Sequence, residues 1–292
     1  VIDKLEYLLA LAQERHFGRA AAACGTTQPT LSAGIKHLEE ALGVLLVERG
    51  SRFRGFTEAG ERTLEWARRI VGDERAMRQE IAALRSALHG QLRLAAIPTA
   101  LPMLPTLTAA FAARNPAVRL LILSRSSNEV LTMLENLEAD AGVTYLDNEK
   151  LGRVVSVPLY REILTFVCPS DGPFAGHDSV TWADISGARL ALLTPDMQNR
   201  RIVDRAFREA GATPSAALES DSMTALLAHL RAGGWASVLP AHWAGTLPGG
   251  LRSIPIVRPQ VANAVGLVVP HREPLPVLSA ALVAEARRLA MS

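Results

Sequence analysis

The segment from Phe17 to Glu48, FGRAAAACGTTQPTLSAGIKHLEEALGVLLVE, constrains this chain more tightly than any other. From Arg19 to Cys24 it is almost pure alanine, a helix whose smooth surface lets a second helix cross at close range. Gly25 then permits the chain to turn back. Thr27 stands where an N-cap is wanted, and Gln28 and Pro29 fill the first turn, where proline's missing N–H is no loss. Leu31, Ile35, Leu38 and Leu42 follow as one apolar stripe of helical period, while Gln28, Thr30, Ser32, Lys36 and His37 lie off it. A helix docked by one stripe, with a short polar outer face at its N-terminal end, is what the major groove of DNA accepts from a helix-turn-helix.

Charge alone does not point the same way. The formal net charge is +2. Within residues 1–60, Lys4, Arg15, Arg19, Lys36, Arg49, Arg52 and Arg54 balance Asp3, Glu6, Glu14, Glu39, Glu40, Glu48 and Glu58. The cations nevertheless collect at the second helix and in RGSRFRGF, while the segment's overall neutrality predicts low nonspecific affinity for DNA.

A first helix from about Asp3 to Arg15 points Leu5, Leu8, Leu9 and Ala12 inward. After Gly43, Val44 to Glu48 and Arg52 to Phe56 read as a hairpin with Gly50 and Ser51 at its tip, a wing whose Arg52 and Arg54 reach phosphates or the minor groove. Glu58 to His89 then reads as one helix about 45 Å long. Thr63, Ala67, Ile70, Glu74, Met77, Ile81, Leu84 and Leu88 recur in steps of four and three, a heptad seam that predicts pairing with a second copy. Glu74 breaks the seam and is expected to meet Arg75 or Arg78 of the partner helix.

Beyond Gly90 the chain changes character. Strands at Leu92 to Ile97, Arg119 to Leu123 and Ala139 to Tyr145 alternate with helices at Met103 to Asn115 and Asn128 to Leu137, which implies a mostly parallel sheet. A second unit of this kind holds Leu190 to Leu193, Gln198 to Ala210, Ser222 to Arg231, Ser237 to Leu239 and Val265 to Val269, with a closing helix from Pro276 to Ala290. Crossover strands near Arg161 to Phe166 and Ala264 to Val269 would join the two lobes around a cleft. The expected organisation is a DNA-binding domain over 1–58, a linker and dimerisation helix over 59–89, and an effector domain over 90–292. Lobe I takes 90–161 and 267–292, and lobe II takes 162–266.

The order of winged helix-turn-helix, linker helix and two-lobed α/β module resembles a LysR-type transcriptional regulator over the whole chain. The most specific portion is AAAACGTTQPTLSAGIKHLEEALGVLLVERG followed by FTEAG. The resemblance implies a periplasmic-binding-protein-like effector domain, a homodimer and a homotetramer, promoter DNA as partner, and RNA polymerase as a further one. It implies DNA contacts from Arg19, Thr27, Gln28, Pro29, Thr30, Ser32 and Lys36 with Arg52 and Arg54 in the wing, and pairing through Ala67, Ile70, Met77, Ile81, Leu84 and Leu88. Where many members carry a basic and an amide residue after the recognition-helix serine, this chain has Ala33 and Gly34. A helical glycine costs about 1 kcal/mol relative to alanine. Gly34 is there either for close approach to DNA or as a locally soft turn.

In open α/β folds, ligands sit at the carboxyl ends of strands, where helix N-termini direct N–H groups into the cleft. Thr99 and Ala100 follow the first strand, Ser126, Ser127 and Asn128 the second, Thr144 ends the third, and Thr194 follows the first strand of lobe II. Each hydroxyl alone reads more readily as a helix cap; together they mark an effector cleft, with Gln198 and Ser222 from the far lobe. Arg125 and Arg200 would supply counter-charge for a small anionic effector. A fainter likeness to regulators of formate dehydrogenase genes points to a very small anion.

An enzyme or a bilobal binding protein in which DNA binding is secondary is the other reading. Against an enzyme, the chain lacks a G-x-S-x-G elbow, H-E-x-x-H, a Walker loop and a G-x-G-x-x-G after a strand. Its seven histidines lack metal spacing, and no cofactor is expected. Against export or a membrane span, Asp3, Lys4 and Glu6 interrupt the start, and no apolar run approaches about 18 residues; a cytoplasmic protein is expected. A peroxide sensor would need two nearby thiols in the effector lobes, and only Cys168 lies there, Cys24 belonging to the helix-turn-helix.

Overall fold

The computed structural model describes residues 1–48, 53–84, 87–147, 150–247 and 249–291, in two compact units, one up to Ser86 and one from Ala87 on. The first holds α1 (Ile2–Glu14), α2 (Phe17–Ala23), α3 (Gln28–Leu42) and α4 (Glu58–Ala83). Leu5, Leu8 and Leu11 of α1 meet Ala20 and Ala21 of α2, Leu31, Ile35 and Leu38 of α3, and Leu64, Ala67 and Val71 of α4 in one core. Leu11 takes the inward place expected of Leu9 and Ala12, which are half-buried. Leu42, expected on the α3 stripe, is exposed, because Gly43 ends the helix in a left-handed conformation before another turn can reach the core.

Each end in this unit is fixed locally. The His16 ring accepts the Gly18 and Arg19 N–H groups at 3.1 and 3.2 Å, capping α2 two residues earlier than the alanine run suggested. Thr27 caps α3, accepting the Thr30 N–H. Thr57 caps α4 through the Gly60 N–H at 3.0 Å and donates its hydroxyl to the Leu45 carbonyl at 2.6 Å. Gly60 is obligatory there, since a Cβ would fall 2.1 Å from the Leu46 carbonyl oxygen. Glu39 turns its carboxylate inward to accept the Leu46 and Val47 N–H groups at 2.7 and 3.1 Å. The wing appears as a single antiparallel bridge, Val47 to Phe56, with the Glu48 N–H donating to the Gly55 carbonyl at 3.0 Å. Arg49, Gly50, Ser51 and Arg52, its expected tip and one of its cations, lie outside the described residues.

Helix α4 stops at Ala83 rather than near His89. Leu88, expected on its seam, lies beyond the helix and packs half-buried against the core of the second unit.

The second unit runs β1 (Gly90–Ala96), α5 (Leu104–Arg114), β2 (Val118–Ser124), α6 (Ser127–Glu135), β3 (Ala141–Tyr145) and β4 (Val154–Pro169). It continues with β5 (Val180–Thr181), β6 (Leu190–Leu193), α7 (Gln198–Glu209), β7 (Ala216–Ser220), α8 (Met223–Ala232), β8 (Ser237–Pro240), β9 (Leu251–Val257), β10 (Ala262–Pro270) and α9 (Val277–Met291). The main sheet has the order β2-β1-β3-β10-β4-β9-β5, with β8 also on β4 and a separate β6-β7 pair. It is mixed rather than mostly parallel. β1 runs parallel to β2 and β3, but β10 is antiparallel to β3 and β4, and β4 is antiparallel to β8 and β9. The long strands β4 and β10 carry the chain out of one lobe and back, and an out-and-back pair lying side by side must be antiparallel. Helices α5, α6 and α9 cover the first lobe; α7 and α8 belong to the second.

Candidate DNA-reading face and interlobe site

On α3, Gln28, Pro29, Thr30, Ala33, Lys36 and His37 are exposed and Ser32 is half-buried, so the expected polar outer face is present beside the buried stripe. Its short side chains at the N-terminal end leave the helix backbone accessible to a groove. Lys36 makes a solvent-exposed contact with Glu40 at 3.7 Å, which water weakens. Thr27 is exposed, but its hydroxyl is engaged in the cap and with the Thr30 hydroxyl at 2.8 Å. Arg19 is tied to the Glu14 carboxylate at 3.1 Å and the Glu14 carbonyl at 2.5 Å. Arg54 is exposed. Gly34 faces inward: a Cβ there would stand 2.6 Å from the Tyr7 ring. The close approach that its type suggested is therefore to α1, not to DNA.

Along α4, Ala67 is fully buried in the unit's own core and is not available to a seam. The apolar side chains left in the open are Trp66 (62% exposed), Ile70, Met77, Ile81 and Leu84 (79%). Glu74 pairs with Arg78 one turn along the same helix, rather than awaiting a partner chain.

Where the two lobes meet, the structure assembles a polar cluster that sequence reading found only at Thr99. Tyr145 ends β3 and lies in register with Val265 of β10, which in turn lies opposite Tyr160 of β4. Glu162 is two residues further along β4, so Tyr145, Tyr160 and Glu162 share one face of the sheet. The Tyr145 hydroxyl donates to Glu162 Oε1 at 2.5 Å. That commits its proton, so the Thr99 hydroxyl at 3.3 Å donates to Tyr145. Asn199, in the first turn of α7, donates to the Tyr145 oxygen at 3.3 Å and to Glu162 Oε1 at 3.4 Å. The Thr99 carbonyl accepts from His242 Nε2 at 2.8 Å and from the Trp243 indole at 2.9 Å. One lobe contributes Thr99 and Tyr145, the other Asn199, His242 and Trp243, and the crossover strand contributes Tyr160 and Glu162.

Burial governs the ionisation of this cluster. It pushes the Glu162 carboxyl up to about 7, with the Tyr145, Thr99 and Asn199 hydrogen bonds pulling the other way. It raises both phenols, Tyr145 and Tyr160, with the neighbouring Glu162 adding to the effect. His242 is lowered by burial, so its ring is neutral at pH 7 with the proton on Nε2.

The other expected effector residues have the following partners. Ser126 forms a capping box with Glu129 at the start of α6, and Ser222 caps α8. Ser127 and Thr144 share a buried hydroxyl contact at 2.5 Å, joining α6 to β3. Ala100 is buried within a turn, its N–H on the Ile97 carbonyl. Thr194 is half-buried, with a hydroxyl oxygen that has no hydrogen-bond partner among the described residues. Gln198 accepts from Arg201 at 2.6 Å. Arg200, expected as a counter-charge, is held by Asp204 at 2.8 Å, Glu219 at 2.6 Å and the Leu193 carbonyl at 2.8 Å. Arg125 is exposed, against the Ser124 carbonyl. Tyr145, Tyr160, Glu162, Asn199 and His242 were missed. The available signal was Glu162 at an inward position of the alternation Glu162, Leu164, Phe166 and Cys168, all buried.

A polar helix face on one unit and a two-lobed sheet with a buried polar cluster on the other are the parts of a DNA-binding regulator with an effector domain. Residues 2–61 match the bacterial regulatory helix-turn-helix protein family of the lysR type, and residues 85–290 match the LysR substrate binding domain. The chain belongs to the LysR family of transcriptional regulators. It is 30% identical to the DNA-binding transcriptional dual regulator OxyR of Escherichia coli K12 over 280 residues, 94% of this chain and 90% of that protein. It is 36% identical over 177 residues to a probable hydrogen peroxide-inducible genes activator of Mycobacterium xenopi, 60% of this chain and 93% of that one. A full-length OxyR point variant from Pseudomonas aeruginosa superposes with a TM-score of 0.76 at 29% identity, covering 98% of this chain and 94% of that one. Full-length CbnR in complex with its target DNA shares the fold, with a TM-score of 0.69 at 24% identity and 99% of each chain covered. No helix among the described residues is long and apolar enough to cross a membrane.

Proposed function

We propose that the protein controls promoters in the cytoplasm by placing Gln28, Pro29, Thr30, Ser32 and Lys36 in the major groove, with Arg54 beside it, in response to a small molecule held between the lobes. The observation that carries the effector half is the cluster Thr99, Tyr145, Glu162 and Asn199. It is buried, it draws on both lobes, and closing or opening the lobes around it changes the hydrogen bonds that Asn199 makes with Tyr145 and Glu162. Two copies pair along the exposed apolar side chains Ile70, Met77, Ile81 and Leu84 of α4, and pairs join as tetramers whose geometry sets the bend of the promoter and its access to RNA polymerase. The anionic effector suggested by Arg125 and Arg200, formate included, finds no support in the cluster, which holds a carboxyl and neither a lysine nor an arginine.

Several relatives are named for induction by hydrogen peroxide. Reading the same role here meets an obstacle. The second unit has one cysteine, Cys168, which is buried on β4 with its thiol pushed up by that burial. A buried, protonated thiol is a poor nucleophile toward peroxide.

The deciding experiment is fluorescence anisotropy of the full chain on the DNA upstream of its own gene, against scrambled DNA, over a salt series. Preference for the native fragment with a steep salt slope supports the regulator. Equal, weak binding to both fragments sinks it.

A further inference from the structure

Two oxygen atoms in the interlobe cluster are buried and without a hydrogen-bond partner among the described residues: Glu162 Oε2 and the Tyr160 hydroxyl. They sit two residues apart on the same face of β4, and Tyr160 feels the charge of Glu162. Glu162 itself is fully buried (0% exposed). Its other oxygen already takes the Tyr145 proton and the Asn199 amide, and Oε2 is left with no hydrogen-bond partner among the described residues. A buried polar atom left unpaired is costly, more so when charged, and two adjacent ones in a native fold call for an occupant.

The surroundings say what kind. Among the described residues no cation acts on the Glu162 carboxyl: Arg161, its neighbour in sequence, is exposed with its guanidinium on the Ala262 carbonyl, and Arg200, near Asn199 on α7, is held by two acids. His242, packed edge-on against the Tyr160 ring at 5.5 Å, directs its one proton to the Thr99 carbonyl. An incoming carboxylate or phosphate would meet the Glu162 carboxyl, which repels it once ionised, with no arginine or lysine of the cluster to offset that charge. An incoming ammonium would meet a carboxylate oxygen and a phenol oxygen able to accept its N–H groups.

We propose that Glu162 and Tyr160 bind the protonated primary amine of the effector, a small aminated molecule. This rests on the reading of the interlobe cluster as the effector site. Binding supplies the counter-charge the fold lacks: Glu162 Oε2 and the Tyr160 oxygen accept from the ammonium, Glu162 ionises, and Tyr145, Thr99 and Asn199 hold its other oxygen in place.

The test uses matched probes of one carbon skeleton, n-butylamine, n-butanol and butyrate, each at 50 mM, roughly a level that detects millimolar binding. Thermal unfolding of the full chain is followed, with anisotropy on upstream DNA in the same samples. Butylamine is expected to raise the midpoint by about 2–4 °C, and Glu162→Gln to abolish that rise. In the absence of probe, Tyr160→Phe should unfold no earlier than the wild type, since it deletes an unpaired hydroxyl, yet its response to butylamine should shrink. A lower midpoint for unliganded Tyr160→Phe would show that the hydroxyl has a structural partner and overturn the proposal. So would butanol matching butylamine, or a butylamine shift that survives in Glu162→Gln. A shift with butyrate alone, lost in Thr99→Val, would overturn the amine while leaving an effector site between the lobes. No shift with any of the three would overturn both.

Discussion

The two polar regions of this molecule are built on opposite terms. On α3, Gln28, Thr30 and Lys36 stand in solvent, outside the helix's buried stripe. Between the lobes, Tyr145, Glu162 and Asn199 are buried and satisfy one another across separations of 17, 37 and 54 residues. An exposed face can be altered without unfolding the chain, and its affinity falls with salt. A buried cluster is coupled to stability and to pH, and is changed only by something that enters it. One surface is suited to reading a long charged polymer, the other to reading a single small molecule.

That contrast can be broken most forcefully at α4. Ile81→Glu places a charge on the exposed apolar side of the helix, and dimers should give way to monomers at micromolar concentration; a dimer persisting by light scattering would show that this stripe is not the seam. Next in size, Gln28→Ala and Lys36→Ala should each weaken operator binding about 5- to 100-fold with no change in unfolding, Lys36→Ala also reducing the salt slope. Unchanged anisotropy for both would remove the groove assignment. Gly34→Ala should destabilise the first unit by about 1–3 kcal/mol through its clash with Tyr7, measured by denaturant unfolding. A neutral result would mean that α1 yields to it.

The smallest effect sharpens the other side. The Glu162 carboxyl rises from its ordinary 4.5 to about 7 in the folded chain. The native state therefore holds this proton more tightly than the unfolded state, and stability is greatest, as far as this group is concerned, below pH 4.5. It declines as pH rises to about 7 and is level above that. Glu162→Gln should remove that slope and be the relatively more stable protein at pH 8. Parallel pH profiles for the two would show that Glu162 is ionised throughout.

How legible each region was in the sequence follows from the same difference. Thr27, Gly43 and Thr57 act on backbone within a few residues, so the helix-turn-helix could be read directly. The hydroxyls Ser126 and Ser222 look the same in sequence whether they cap a helix or hold a ligand, and here they cap. Strand β4 was read only in part, because Pro158 and the charged pair Arg161 and Glu162 interrupt its apolar run, although all three lie within one 16-residue strand. Nothing local could announce that Tyr145 and Asn199 would converge on Glu162, since β10 and α7 bring them there from distant parts of the chain. The end of α4 at Ala83 was hidden for a similar reason: Leu84 and Leu88 continue the helical spacing, but Leu88 packs on the second unit's core.

The join between the wing and α4 carries a mechanical consequence. Thr57 grips the Leu45 carbonyl and Gly60 rests against that of Leu46, while Glu39 of α3 holds the N–H groups of Leu46 and Val47. Three elements are thus clamped on one short piece of backbone, leaving no slack between them. If two chains pair along α4 as proposed, a small rotation of one long helix against the other is carried rigidly to α3, and the distance between the two α3 helices becomes a property of how the long helices cross.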